Sequence, residues 1–246
     1  MNNLQEILLF PFRDQHSRAQ FLIACAVMLA AFFIPILPTL VLMGYSVKIM
    51  RQIIIEKKPP SLPAWQGSDW SEMLLDGLRL YGAQFVLMLP LFILMGCGMI
   101  SMFGGSLGIS ALADESTSAI APIGMLLMMI GFLFFGLFSV LSIPYSVILY
   151  GMLPHVAVKG SFQAAFEFNE WFPIFRKALG QFILGYVIIM AVSFVFAMII
   201  QIAMITIILI CIVPFIMIPF AAYQMLVMNA FFAQAYAFGR EALQTT

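Results

Sequence analysis

Long apolar runs separated by small groups of basic residues are the feature of this sequence that most restricts its fold. Every Lys and Arg falls into one of four clusters. The clusters are Arg13 and Arg18; Lys48, Arg51, Lys57, Lys58 and Arg79; Lys159, Arg176 and Lys177; and Arg240. A helix needs about 20 mostly apolar residues to cross the hydrocarbon core of a bilayer, and the runs between clusters reach that length. The layout therefore predicts membrane-spanning helices joined by basic connections.

The composition excludes an ordinary soluble domain. Hydrophobic residues make up 63% of the 246 positions and charged residues only 9%. Soluble domains carry about 25% charged residues, so a surface this poor in charge needs lipid as its solvent. The formal net charge of zero gives no electrostatic basis for binding nucleic acid. We therefore predict an all-α, polytopic membrane protein with membrane lipids as partners and no nucleic-acid partner.

Prolines divide the apolar regions into helices. The regions are 19–55, 80–103, 122–153 and 178–238. Proline lacks a backbone N–H and disfavours helical geometry in the residue before it. The first region is thus interrupted at Pro35 to Pro38, and the last, which is too long for one helix, is predicted to divide near Pro214.

The distribution of basic residues predicts the orientation of the chain. Short loops rich in Lys and Arg stay in the cytoplasm. Segments 48–79 and 154–177 carry five and three basic residues, whereas segment 104–121 carries none. The first two are therefore predicted to be cytoplasmic and the third external. Arg13 and Arg18 favour a cytoplasmic N-terminus, and Arg240 favours a cytoplasmic C-terminus.

A cytoplasmic N-terminus requires an even number of crossings in the first apolar region. The prediction is six spans arranged as three helical hairpins, with a shallow re-entrant first hairpin as a close variant. Five spans, with the N-terminus outside, are the alternative. The predicted single transmembrane domain 1–246 consists of a cytoplasmic segment 1–18, a proline-broken hairpin 19–55, an interfacial segment 56–79, a second hairpin 80–153 with the external loop 104–121, a second interfacial segment 154–177, a third hairpin 178–239 and a tail 240–246.

The two cytoplasmic segments are rich in aromatic residues. In the first, Asp69 followed by Glu72 resembles a helix N-cap with its capping-box partner, and Asp76 and Arg79 are spaced as an i,i+3 ion pair on a solvated face. Both segments are predicted to form amphipathic helices in the headgroup layer, anchored by aromatic rings. A docking face for a protein is the alternative. The candidate residues for either role are Trp65, Trp70, Phe166, Trp171, Phe172 and Phe175.

Several motifs together resemble a known family. They are Phe10-Pro11-Phe12-Arg13-Asp14, Gly44-Tyr45, Pro59-Pro60-Ser61-Leu62-Pro63-Ala64-Trp65, Asp69-Trp70 and Leu75-Asp76-Gly77-Leu78. This set resembles an uncharacterised family of prokaryotic multi-span membrane proteins, the domain-of-unknown-function family 4013. The resemblance implies a prokaryotic cytoplasmic membrane and brings no established activity or catalytic residue.

Catalytic chemistry is not expected from this sequence. Gly104-x-Ser106-x-Gly108 matches the nucleophile-elbow pattern, but that motif needs a nearby His and acid on a strand-to-helix turn. His16 and His155 are both predicted on the opposite side of the membrane from Ser106. Neither histidine belongs to an HExxH metal motif. We expect no enzyme activity, cofactor or metal.

The apolar stretches 80–113, 122–154 and 178–239 contain no Asp, Glu, Lys, Arg or His. Amides within them, Gln201, Gln224 and Asn229, are candidates for contacts between helices. The predicted function is that of a non-catalytic structural or accessory subunit that packs with lipid, with itself as a homo-oligomer, or with another membrane complex. The alternative is a permease, channel or lipid-handling transporter for a neutral or lipidic substrate, with the same amides lining its path.

Overall fold

The computed structural model describes residues 4–31, 33–110, 121–205 and 212–245. Over these residues all regular structure is helical, as predicted. The α-helices are α1 (Leu4–Leu9), α2 (Gln15–Ala30), α3 (Leu37–Ile54), α4 (Trp70–Ser110), α5 (Ala121–Lys159), α6 (Phe168–Lys177), α7 (Leu179–Ile205) and α8 (Val213–Gln244). Short 3₁₀ helices occupy Phe10–Phe12, Gly67–Asp69 and Phe162–Phe166.

Within the described parts of the chain, four helices are long and apolar enough to cross a membrane. They are Gly67–Ser110, Pro122–Lys159, Leu179–Met204 and Val213–Gln244, which belong to α4, α5, α7 and α8. The prediction of an all-α protein with membrane-spanning helices is confirmed at this level. Helix α2 ends before Pro35 and α3 begins at Leu37, so the chain is interrupted near Pro35 as expected. Neither helix is among the four candidate spans of the described residues.

Local sequence explains where several helices begin. The Asp14 carboxylate accepts a hydrogen bond from the Ser17 backbone N–H at 2.6 Å and so caps α2. Helices α3 and α8 begin with Pro38 and Pro214 in their first turns. A proline in the first turn removes no hydrogen bond from the helix, because the first N–H groups of a helix have no partner within it. The predicted break near Pro214 is therefore confirmed as the start of α8.

The chain folds as two compact units. Unit 1 comprises Met1–Ala83 and Leu149–Thr246, and unit 2 comprises Gln84–Ile148. In unit 1, α8 packs against α1, α2, α3, α6 and α7. Small and branched residues of α8, spaced three or four apart, are fully buried: Ala222, Leu226, Ala230 and Ala233. This spacing places them on one helical face, and the alanines allow neighbouring helices to approach closely.

Helices α3 and α4 of unit 1 meet at two glycines. A Cβ atom on Gly44 would lie 1.7 Å from the Met73 carbonyl oxygen, and one on Gly77 would lie 1.8 Å from that of Leu40. Only glycine fits at either position. The first turns of α4 are thereby packed against α3.

This contact corrects the predicted interfacial helix in segment 56–79. Helix α4 begins at Trp70 and continues without a break through the predicted boundary at residue 80. The first turns of α4 pack against α3, where Gly77 permits close contact, and they are part of one long helix and not a separate short one. The predicted boundary after residue 153 also lies within a helix, because α5 continues to Lys159. Segment 154–177 does contain a separate short helix, α6.

Unit 2 consists of the second half of α4 and the first part of α5, which pack antiparallel. Cβ atoms on Gly105 and Gly124 would lie 2.7–2.8 Å from backbone of the opposing helix. The predicted loop 104–121 is wrong at its start, because residues 104–110 continue α4; residues 111–120 lie outside the described part of the chain. The Ser106 hydroxyl donates to the Phe103 carbonyl oxygen at 2.8 Å. Gly104-x-Ser106-x-Gly108 is thus helical and not a nucleophile elbow.

Candidate functional site at the polar end of unit 1

Three of the four basic clusters lie at one end of unit 1. We call this region the polar end. It is formed by the last turns of α3, segment 55–69, the first turns of α4, the last turns of α5, Phe162–Phe166 with α6, and the last turns of α8. Both predicted aromatic segments belong to it, so it contains the candidate interfacial or docking residues.

A buried ion pair joins three helices at the polar end. The Arg51 Nη1 atom of α3 lies 2.5 Å from Oδ2 of Asp76 in α4, whose side chain is only 5% exposed. Arg51 Nε also donates to the Ala157 carbonyl oxygen of α5 at 2.7 Å. Arg79 completes the group with a 3.1 Å contact to the other Asp76 oxygen. The predicted Asp76–Arg79 pair is confirmed, but Asp76 is buried and not on a solvated face.

A second ion pair replaces the predicted capping box. The Lys48 ammonium lies 2.5 Å from Asp69 Oδ2, and the Ser68 hydroxyl donates to Asp69 Oδ1 at 2.9 Å. Asp69 lies within the 3₁₀ turn Gly67–Asp69, ahead of the first residue of α4. Its carboxylate therefore ties α3 to the start of α4.

Of the two tryptophans of the first segment, Trp65 is fixed by contacts within the chain. Its ring stacks on Tyr45 with centroids 4.2 Å apart. Its indole N–H donates to the Gln20 carbonyl oxygen at 3.2 Å. The Tyr45 hydroxyl donates to the Pro63 carbonyl oxygen at 2.7 Å. Trp70, which is 41% exposed, is thus more available than Trp65 for lipid or a partner.

The aromatic residues of the second segment divide into buried and exposed groups. Trp171 is 1% exposed, and its indole N–H donates to the Ala165 carbonyl oxygen at 3.1 Å. Phe175 is also buried. The rings that remain exposed are Phe162, Phe166, Phe168 and Phe172. We call these four the aromatic ridge. Phe166 and Phe172 are thus placed for the predicted surface role, whereas Trp171 and Phe175 belong to the core.

A cluster around His155 was not anticipated from the sequence. His155 Nδ1 lies 2.7 Å from the Tyr236 hydroxyl, and Nε2 lies 3.4 Å from Glu167 Oε2. The Lys159 ammonium lies 2.5 Å from Glu167 Oε2 and 2.6 Å from Glu170 Oε2. The only signal in the sequence was that Lys159, Glu167 and Glu170 lie in the same predicted cytoplasmic segment. This signal does not reveal the contact with Tyr236, which is 81 positions from His155.

This cluster has the donor atoms of a metal site but already contains a cation. Ligand atoms of His155, Glu167 and Glu170 lie within 4.8 Å of one another. The Lys159 ammonium lies at hydrogen-bonding distance from both carboxylates and compensates part of their negative charge. Its hydrogen bond holds the pKa of the Glu167 carboxyl below the ordinary value, with a smaller contribution in the same direction from His155. The arrangement is satisfied as an ion-pair network that links α5, α6 and α8.

The three predicted intramembrane amides are not brought together. The Gln224 amide donates to the Ser193 hydroxyl at 2.9 Å and so joins α8 to α7. Asn229 donates to the Met225 carbonyl oxygen within its own helix at 2.8 Å. Gln201 is exposed on α7. Gln224 alone makes the type of interhelical contact that was predicted.

The comparisons with known proteins give a family but no function. No curated protein and no solved structure matches the chain. One family profile, described as "Protein of unknown function (DUF4013)", matches residues 27–205, more than two thirds of the chain. The match includes the Gly44-Tyr45, Asp69-Trp70 and Leu75 to Leu78 motifs, while Phe10 to Asp14 precede it. The chain therefore belongs to the family of proteins of unknown function DUF4013.

Proposed function

We propose that this protein is a non-catalytic membrane subunit that assembles, through its apolar helices, with a second copy of itself or with another integral membrane protein. One observation carries the proposal. The most apolar windows of the candidate spans in α4, α5 and α7 are only 6%, 6% and 11% buried, compared with 44% in α8. Few residues of these three candidate spans are buried within the chain, so much of their apolar surface is open to lipid or to a partner.

Small residues on these surfaces favour association between helices. Gly96 of α4 and Gly136 of α5 have no atom within 4 Å of the position that a Cβ would take. Apolar burial does not drive association inside a bilayer, and helices there associate where small residues allow close approach. These two glycines mark the open positions at which another helix can approach α4 or α5.

The assembly is tested on the full-length protein extracted into lipid nanodiscs from its native membrane. We expect native mass spectrometry to detect either two copies or one copy with a second membrane protein. The variants Gly96→Leu and Gly136→Leu should weaken association about tenfold, because a large side chain blocks close approach. Ile100→Leu and Val140→Leu serve as matched controls, since both positions are exposed in the same two helices. A protein that always appears as one chain alone would contradict the proposal.

We also propose that the chain crosses a prokaryotic cytoplasmic membrane four times, through α4, α5, α7 and α8, with both termini in the cytoplasm. In this arrangement α2 and α3 form the re-entrant hairpin. Four crossings leave all basic clusters on one side, as the positive-inside rule requires. The shortness of α2 and α3, with 16 and 18 residues, favours this arrangement over six spans.

Labelling with a membrane-impermeant maleimide tests the topology. Single cysteines are introduced as Asn3→Cys, Phe33→Cys or Ser110→Cys after Cys25, Cys97 and Cys211 have been replaced. We expect intact cells to be labelled only at position 110. External labelling at position 33 would support six spans, and labelling at position 3 would support five; either result would contradict four crossings.

Lipid handling is a second candidate function, favoured by one apolar cavity. A cavity of about 300 Å³ lies between α2 and α8 and is lined by Met28, Ala31, Pro214, Met217, Ile218 and Ala221. A neutral or acyl-chain ligand fits such a lining. Transfer of a fluorescent lipid between vesicles with and without the reconstituted protein tests this role, and Ala221→Trp should abolish any transfer by filling the cavity.

A further inference from the structure

A second cavity in unit 1 has a basic and amide-rich lining. It lies at the polar end between the last turns of α3 and α8 and the start of α7, and has a volume of about 490 Å³. Three cations and three amides contribute to the lining: Lys57, Lys58, Arg240, Gln181, Gln234 and Gln244. Ile55 and Phe238, which are 54% and 48% exposed, add an apolar rim.

The cavity carries an excess of positive charge. Glu241 is the acidic residue of its lining, and it lies 2.9 Å from the Lys57 ammonium. Lys58 is paired at 2.7 Å with Glu56, which is not part of the lining. Arg240 forms no ion pair within the described part of the chain. The charges that line the cavity therefore favour an anionic ligand.

Backbone geometry at the cavity is unusual in the same place. Lys57 has a φ of +53°, and among the described non-glycine residues it is the one with a positive φ. That conformation is costly for a side-chain-bearing residue and is often found at functional sites. It turns the chain directly after α3 and places Lys57 and Lys58 together on the cavity lining.

A polar atom in the cavity lining lacks a partner. The side-chain oxygen of Gln181 is buried and accepts no hydrogen bond from the described residues. A buried acceptor without a donor costs free energy, so a rotation of the Gln181 amide that turns this oxygen into the cavity, toward a hydroxyl group of a ligand, would relieve that cost. The lining thus offers cations for a phosphate and an acceptor for a hydroxyl.

We propose that this cavity binds the headgroup of an anionic, hydroxyl-bearing phospholipid such as phosphatidylglycerol. The phosphate is held by Lys57, Lys58 and Arg240, and a headgroup hydroxyl donates to the Gln181 oxygen. A lipid fits better than a free phosphate ester because Ile55 and Phe238 supply an apolar rim for the start of the acyl chains. The site lies within unit 1 and does not depend on the proposed assembly.

The test measures thermal unfolding of the full-length protein in nanodiscs of phosphatidylcholine with increasing phosphatidylglycerol. A ligand that binds only the folded state raises Tm with its concentration. We expect phosphatidylglycerol to raise Tm in the wild type. The double variant Lys57→Gln/Arg240→Gln should bind the lipid about 30-fold more weakly, since each basic side chain contributes roughly fivefold at an anionic surface.

A matched variant separates this site from general surface charge. Arg13→Gln/Arg18→Gln removes the same two charges from another part of the chain and should keep the wild-type response. Equal Tm values in phosphatidylglycerol and phosphatidylcholine, or an equal loss in both double variants, would overturn the site. Inorganic phosphate and glycerol phosphate, added at millimolar concentration to phosphatidylcholine nanodiscs, should have no effect. Stabilisation by either that matches phosphatidylglycerol would overturn the choice of a lipid.

Gln181 tests the recognition of the hydroxyl. Gln181→Ala should bind phosphatidylglycerol and phosphatidylethanol, an anionic phosphodiester lipid whose headgroup has no hydroxyl, equally well, whereas the wild type should prefer phosphatidylglycerol. A preference that persists in Gln181→Ala would contradict the assigned hydrogen bond. The experiment needs no partner protein, so its failure leaves the assembly test unaffected.

Discussion

Arg51 and Asp76, 25 positions apart, form a 2.5 Å ion pair that fixes α3 against α4 at the polar end of unit 1. Arg51 also donates to the Ala157 carbonyl oxygen, so α5 is held by the same side chain. The pair lies beside Gly44 and Gly77, where the two helix backbones are too close to leave room for a Cβ atom. The ion pair and the two glycines therefore stabilise the same junction between α3 and α4.

Asp76→Asn should lower the free energy of unfolding by about 3 kcal/mol. Removing one partner of a buried ion pair leaves the other charge uncompensated. Here Arg79 loses its counter-ion, and Arg51 keeps only the more distant and exposed Glu72, at 3.8 Å. Unfolding in mixed detergent micelles measures the change. Glu6→Gln is the control, because its pair with Arg13 is exposed on the arginine side and should contribute less than about 1 kcal/mol. Equal losses in the two variants would contradict the structure.

Gly44→Ala and Gly77→Ala should each destabilise the protein by at least about 2 kcal/mol. The added methyl group would overlap backbone atoms of the opposite helix, so α3 and α4 would have to separate. Gly96→Ala is the matched control in α4, where the new methyl meets open space. It should be neutral or stabilising by up to about 1 kcal/mol, because alanine is the better helix former. The same unfolding assay distinguishes these outcomes.

Trp171→Ala and Phe172→Ala should change the free energy of unfolding by very different amounts, although the two residues are adjacent. Trp171 is 1% exposed, so its truncation should cost about 4 kcal/mol of stability. Phe172 is 44% exposed and belongs to the aromatic ridge, so stability should change by less than about 0.5 kcal/mol. A second measurement uses the isolated peptide 154–177. Flotation with liposomes shows whether the peptide that carries Phe172→Ala binds membranes more weakly than the wild-type peptide. A large loss of stability in Phe172→Ala would show that the ring is buried.

Stability should depend on pH through Glu167. The Lys159 hydrogen bond lowers the pKa of the Glu167 carboxyl below its ordinary value of 4.5 in the folded protein. A depressed carboxyl pKa contributes stability that is fully present above the ordinary value and is lost as the pH falls through the folded pKa. The stability difference between the wild type and Glu167→Gln should therefore be constant above about pH 5.5 and shrink below pH 4.5.

Unfolding measured from pH 3 to pH 7 tests this dependence. The background variant Lys159→Met removes the main cause of the shift. In that background, Glu167→Gln should alter the pH dependence less than it does in the wild type. An equal effect in both backgrounds would exclude Lys159 as the cause.

The four candidate spans in α4, α5, α7 and α8 were predictable because hydrophobicity is a local and additive property of the sequence, whereas the predicted total of six spans is not confirmed. The apolar runs and the prolines at positions 38 and 214 were enough to locate α3 and α8, and the family resemblance was carried by contiguous motifs. The predicted ends of the cytoplasmic segments were less accurate. A pattern of polar residues indicates which part of a chain is exposed to water. A helix can nevertheless continue from the polar part into the apolar part when no residue interrupts it, as α4 does from Trp70.

The roles of individual polar-end residues were not predictable in the same way. Amphipathic spacing placed Trp171 and Phe172 in one aromatic group, but the packing of α6 on α8 buries the first ring and leaves the second exposed. Likewise, Asp76 was assigned to a solvated face because its partner in the sequence, Arg79, is close. Its shorter contact is with Arg51, on another helix.

The sequence by itself determined an all-helical protein with membrane-spanning helices and basic connections, since the solvent preference of each segment is set by its own residues. Only the tertiary structure decided that Gly44 and Gly77 bring α3 and α4 into contact, that Asp76 is buried with Arg51, and that Lys57 and Arg240 line one cavity. These relationships join residues from different helices. They depend on which helix faces meet, and hydropathy carries no information about that choice.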